Sequence, residues 1–259
     1  MRFAARALLL LVALLGPFAQ AAEHPEIARR RAAERKTFTD AEISKGFFAT
    51  AFGAEMRLAG RVDRIRKYDG PVRVYVEGSA QPDRSAQIAQ ITADIKARVE
   101  HLDIAMAANR DEANVVVRLL TERNFYPALR AAFGPDRLRR IRKSLDPQCL
   151  SGFRKDAALR IVHSDVFLVA DRGDFIFYDC AYEELLQSLG PINDTDKVPW
   201  TMFNDRVQMG FFDIYDQYIL NILYHPRVRP GMTRAEVRVL LPEIMPQVRA
   251  FVAKTNNLP

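Results

Sequence analysis

Residues 183–193 read Glu183-Glu184-Leu185-Leu186-Gln187-Ser188-Leu189-Gly190-Pro191-Ile192-Asn193. Glu183 and Gln187 stand four apart, a spacing that puts both on one face of a helix. Gly190-Pro191 ends that helix, because glycine accepts the left-handed backbone of a helix stop and proline cannot continue the turn. A helix is therefore expected over Phe175 to Gly190. Residues 191–210 follow with Pro, Asn, Asp, Thr and Gly and no periodicity, which predicts a long loop of the kind that often carries function.

Working outward, Pro71 to Glu77 alternates with period two and reads as a strand. Asp83 to Leu102 places Ile88, Ile91, Ile95 and Val99 on one face of a long helix. Ala113 to Leu120 is a nearly continuous β-branched run, as a central strand needs. The basic stretch from about Pro127 to Leu145 reads as helical, and Leu159 to Asp171 as one or two strands. Two helices are expected to close the chain, Phe211 to Tyr224 and a second opened by the capping box Thr233-Arg-Ala-Glu236. That second helix runs toward Lys254, with Pro242 and Pro246 expected to bend or break it. Upstream, Thr39-Asp-Ala-Glu42 is another capping box, followed by Phe47, Phe48, Ala51 and Phe52 at helical spacing.

The 259 residues are 49% apolar and 27% charged, which is neither a disordered nor a fibrous composition. Arg2 and Arg6, the apolar run Ala7 to Leu15, a Gly-Pro break and Ala19-Gln20-Ala21 form a secretory leader, so cleavage after Ala21 and a periplasmic or secreted product are expected. No later stretch approaches the 18 apolar residues of a membrane span. Residues 22–38 read as a polar, flexible or helical arm, and residues 39–259 as a single domain. Removing the leader takes the formal charge from +6 to +4. Basic residues cluster in Arg29 to Lys36, Arg57 to Lys67 and Arg137 to Lys143. They read as solvated helix faces; as a partner surface in an exported protein they suit anionic envelope polymers or lipid head groups rather than nucleic acid. In an oxidising compartment Cys149 and Cys180 are expected to form a disulfide that fixes the motif helix against the sheet. The four His are scattered, which argues against a zinc finger or a local His-rich zinc site.

The order strand, long helix, strands, helix, Met-containing loop, helix resembles the catalytic domain of metzincin-type zinc peptidases over roughly residues 70 to 226. In that family H-E-x-x-H-x-x-G-x-x-H supplies three zinc ligands and a general base. In the corresponding stretch here the base-position Glu184 and Gly190 match, while the three His positions hold Glu183, Gln187 and Asn193. Thr201-Met202-Phe203-Asn204-Asp205 falls where the family's Met-turn would lie, and Tyr215 to Tyr224 resembles its closing helix. Glu-Glu-x-x-Gln-x-Leu-Gly, with Asn-Asp and a Phe-Asn-Asp tail, is also similar to an uncharacterised family of exported proteobacterial proteins, which implies no activity. The resemblance implies an α/β fold: a mixed twisted sheet, a long backing helix, a degenerate active-site helix, a Met-turn-like loop and C-terminal helices. The alternative is an unrelated α+β fold with Glu183 and Gln187 in solvent.

Gln and Asn amides are weak neutral donors, so no bound zinc and no cofactor are expected. A hard, oxygen-liking cation is the competing expectation, since Glu183, Asn193, Asp194 and Asp196 offer several oxygens. The first reading is a pseudoenzyme of the cell envelope. Its cleft, formed by Glu183, Gln187, Asn193, Asp194, Trp200 and Met202 below the 113–120 strand, would bind a peptide, a peptidoglycan-like glycan or a protein partner. The second is a hydrolase with Glu184 as general base, assisted by an unusual metal or by Asp194 or Asp205. His163 reads as a satisfied core or rim residue.

Overall fold

The computed structural model describes residues 23–53, 63–144 and 148–259. The leader, and Arg57 and Arg61 of the Arg57 to Lys67 cluster, lie outside the described residues. In chain order the elements are α1 (Pro25–Ala32), α2 (Asp40–Thr50), β1 (Val72–Glu77), α3 (Ser85–Arg98), β2 (Ile104–Met106) and β3 (Val115–Leu120). Then follow α4 (Glu122–Phe133), α5 (Pro135–Ser144), β4 (Cys149–Lys155), β5 (Ile161–Val169), α6 (Asp174–Ser188), α7 (Ile214–Tyr224) and α8 (Arg234–Thr255). The fold is mixed α/β, with a five-stranded sheet ordered β2-β1-β3-β5-β4. All neighbouring pairs are parallel except β4 with β5. Among the described residues, the outer edge of β4 pairs with no strand.

Strand alternation divides the apolar residues between the two faces of the sheet. Val115, Val117 and Leu119 of β3 and Val166 and Leu168 of β5 join the main core with Ile88, Ile91 and Ile95 of α3 and much of α6, α7 and α8. Phe167 and Val169 point the other way, into a small separate cluster with Phe125 and Leu129 of α4, Ile141 of α5 and Leu150 of β4. On this second face Arg118 links Glu77 to Asp165, and His163 lies 3.3 Å from Asp165, so His163 belongs to a charge ladder at the sheet surface.

Several elements depart from the sequence reading. Strands β2 and β4 were not legible, β2 because it is three residues long and β4 because Gly152 and a polar C-terminal half blur its alternation. The basic helical stretch is two helices broken at Gly134, whose φ of +79° ends α4. Helix α8 is continuous through Pro242 and Pro246. Both prolines are exposed, so the backbone carbonyls they leave unpaired face water, while Val237, Leu241, Ile244, Met245, Val248 and Val252 hold the other side in the core.

The arm before residue 39 is docked rather than loose. Ile27 of α1 is buried against Gly210 and Phe175, and the Arg31 guanidinium lies 4.2 Å over the Phe211 ring. Glu34 accepts a 2.5 Å hydrogen bond from the Ile214 N–H at the start of α7. The basic clusters are also more engaged than solvated faces would be. Arg30 pairs with Glu26, Arg35 pairs with Glu42, and Arg66 and Lys67 are buried, with Lys67 Nζ donating to the Leu223 carbonyl at 2.9 Å.

Candidate functional site: an acidic cleft between a helix and a sheet edge

Helix α6 buries Phe177, Ala181 and Leu185 at four-residue spacing against the sheet. The remaining stripe, Ile176, Asp179, Cys180, Glu183, Glu184 and Gln187, follows the same helical period and lines a cleft of about 280 Å3. Gln148, Cys149 and Leu150 of the β4 region form the opposite wall, and Asp194, Asp205, Val207 and Gln208 close the end. The cleft therefore runs beside β4, two positions along the sheet from the 113–120 strand under which it was expected. The Cys149–Cys180 disulfide joins its two walls.

Gly190 is required by the turn that follows α6. Its φ is +140°, and an added Cβ would overlap the Arg66 carbonyl and press within 2.9 Å of Leu223. Past the turn, the backbone and side chain of Asn193 are spent on the end of α2. Its N–H donates to the Thr50 carbonyl at 3.2 Å and its Nδ2 to the Ala49 carbonyl at 2.7 Å, satisfying groups that a helix C-terminus leaves open. Asn193 therefore does not join Glu183 and Gln187. Asp194 takes that place: Gln187 Nε2 donates to Asp194 Oδ1 at 2.7 Å and lies 3.5 Å from Glu183 Oε1. Trp200 and Met202 line no part of the cleft. Trp200 packs beside Phe38 under the Arg35 guanidinium, and Met202 is 2% exposed in the core. Its backbone N–H donates to Asp216 at 2.7 Å, which fixes the turn that carries it.

Five carboxylates share this small cleft: Asp179, Glu183, Glu184, Asp194 and Asp205. One oxygen from each of Glu183, Asp194 and Asp205 lies within 4.8 Å of the others. Burial, followed by the charges of Glu184, Asp194, Asp179 and Asp205, pushes the Glu183 carboxyl well above the usual range. Burial also pushes Asp179 up to about 6, even though its Oδ1 accepts from the Met209 and Gly210 N–H groups. Like charges this close resist simultaneous ionisation, so the cleft has an electrostatic demand for a cation or for protons. Asp179 was missed in the sequence reading, although its four-residue spacing to Glu183 places it on the same helix face. The Asp194 role was hidden because the anchoring of Asn193 depends on α2, more than 140 residues away.

Among curated proteins and among solved structures, nothing matches the chain. A family model described as "Protein of unknown function (DUF2927)" matches residues 40–243. That span runs from the first residue of α2 into α8 and includes every residue lining the acidic cleft. With most of its length matched, the chain belongs to the DUF2927 family.

Proposed function

We propose that this is an exported envelope protein that binds a peptide-like partner through a basic side chain seated among Glu183, Asp194 and Asp205, without hydrolysing it. The observation that carries the reading is the crowding of these carboxylates, which a Lys or Arg head group would relieve. The edge of β4, which pairs with no strand among the described residues, supports it, because an extended chain laid beside that edge gains main-chain hydrogen bonds while its side chains reach the cleft. Export is supported by the leader-like pattern of residues 1–21 and by a disulfide at the cleft. The metzincin-like reading draws support from the long helix behind the sheet, the Gly190 turn, the buried Met202 turn and the facing of Glu183 and Gln187 into one cleft. At the three zinc-ligand positions the chain holds one carboxylate and two amides, and both amides donate to protein oxygens.

A second reading is favoured by the same triangle of oxygens. A hard divalent cation held by Glu183, Asp194 and Asp205, with Glu184 beside it as general base, would make the cleft hydrolytic. Metal content after dialysis, together with cleavage assays on a Lys-containing peptide and a peptidoglycan fragment, separates the two. The binding reading expects no stoichiometric metal, no cleavage, and at least tenfold weaker peptide binding in the Glu183→Gln/Asp205→Asn variant. Retained metal with cleavage that Glu184→Gln abolishes would overturn it.

A further inference from the structure

Past Asp194 and Asp205, which line both spaces, the acidic cleft adjoins a wider groove of opposite character, about 1160 Å3 in volume. One wall is Lys45 and Phe48 of α2 and Phe52 just past its end, with Arg234 and Arg238 from the first turns of α8, and the facing loop adds Lys197 and Arg206. Lys45, Lys197, Arg206 and Arg238 are exposed and make no ion pair among the described residues. The two arginines of α8 lie against aromatic rings, and Arg234 also donates from Nε to Asp63 at 2.5 Å. The Arg238 guanidinium lies 5.3 Å over the Phe48 ring and that of Arg234 4.8 Å over Phe52. Arg238, exposed and in no ion pair among the described residues, offers a guanidinium whose paired N–H groups grip a carboxylate through two hydrogen bonds.

We propose that this groove is a carboxylate-binding subsite for the same extended ligand whose basic group enters the acidic cleft. The protein then selects a dipolar peptide, with a cationic side chain at one end and an acidic side chain or terminal carboxylate at the other. The inference rests on the peptide-binding reading of the cleft and adds the second half of the recognition. A uniformly anionic polymer fits the groove poorly, because Asp194, Asp196 and Asp205 line it alongside the basic residues. A ligand that changes sign along its length meets the complementary charge in each space.

The test is calorimetric titration with ten-residue Ala/Ser peptides made in both chain directions. One set carries two Lys at one end and two Glu at the other, one carries the Lys pair alone, and one the Glu pair alone, with termini blocked. The dipolar peptide is expected to bind at least tenfold tighter than the Lys-only peptide. Lys45→Gln/Arg238→Gln, two exposed positions whose fold is checked by thermal melting, should erase that advantage and leave Lys-only binding unchanged. An equal affinity for the dipolar and Lys-only peptides, or an advantage that survives the double variant, overturns the subsite and spares the acidic cleft. Binding of the Glu-only peptide as tightly as the dipolar one, lost in the double variant, supports the subsite and overturns the basic-side-chain reading of the cleft. Failure of all three peptides to bind overturns both.

Discussion

Glu34 shows how one carboxyl couples the docked arm to the pH of the medium. Burial raises it to about 7 against the pull of the Ile214 N–H, and nearby Asp213 adds to the rise. A raised carboxyl favours the protonated fold, so its contribution is full below its unfolded value and is lost as pH climbs through about 7. Glu34→Gln keeps an oxygen for Ile214 and removes the titration. Thermal melts across pH should find the variant more stable than the parent by about 1–3 kcal/mol at pH 8, with the difference vanishing near pH 4. Gly190 makes the complementary case, since its substitution by Ala meets the Arg66 backbone, which no rotamer change relieves. The need for glycine there was legible from Gly-Pro alone. The choice of Asp194 over Asn193 was not, because sequence spacing assigns a residue to a turn but does not reveal which distant carbonyls will claim its amide.

At the level of elements, helix α2 sits flush on α7 because Gly46 has no side chain. An added Cβ would run into the Tyr215 ring, whose hydroxyl donates to the Glu42 carbonyl at 2.6 Å. Gly46→Ala is expected to cost about 1–3 kcal/mol, read from denaturant unfolding, despite the better helix propensity of alanine. The cross-link between β4 and α6 gives a second test. Converting Cys149 and Cys180 to serine frees a loop with a sequence separation of 31 and should lower stability by about 3–4 kcal/mol in the chain-entropy account. Elements with strong local signals, such as the two capping boxes, the α3 stripe and the β3 apolar run, were readable in the sequence. Those defined by their neighbours were not. The antiparallel β4 edge gets its order from β5, and the continuity of α8 across two prolines comes from the core it covers.

Across the whole molecule, the buried acids set the pH of greatest stability. Asp179 and Asp216 are raised to about 6 and Glu34 to about 7, chiefly by burial, and burial also pushes Glu183 and Asp213 well above the usual carboxylate range. Each loses stability as pH rises through its folded value. The exposed Glu26 and Glu42 are lowered to about 2, the first mainly by Arg29 and the second mainly by the Thr39 N–H, so what they add is full above the ordinary glutamate value and is lost as pH falls from there through about 2. The melting temperature should therefore peak near pH 5 and decline toward pH 8, and a flat or rising profile over that range would contradict the burial argument. The separation of the apolar residues into a large core and a small cluster under α4 and α5 also shapes the motions of the native state. The small cluster holds few side chains, so the α4–α5 cap can open as a unit of its own at a fraction of the global free energy. Native-state hydrogen exchange should show two tiers, with the amides of α4 and α5 released early and those of α6 and α7 only with complete unfolding. During such an opening Leu150 loses its packing, yet Cys149 beside it stays tethered to α6, so the wall of the cleft keeps its place while the cap behind it breathes.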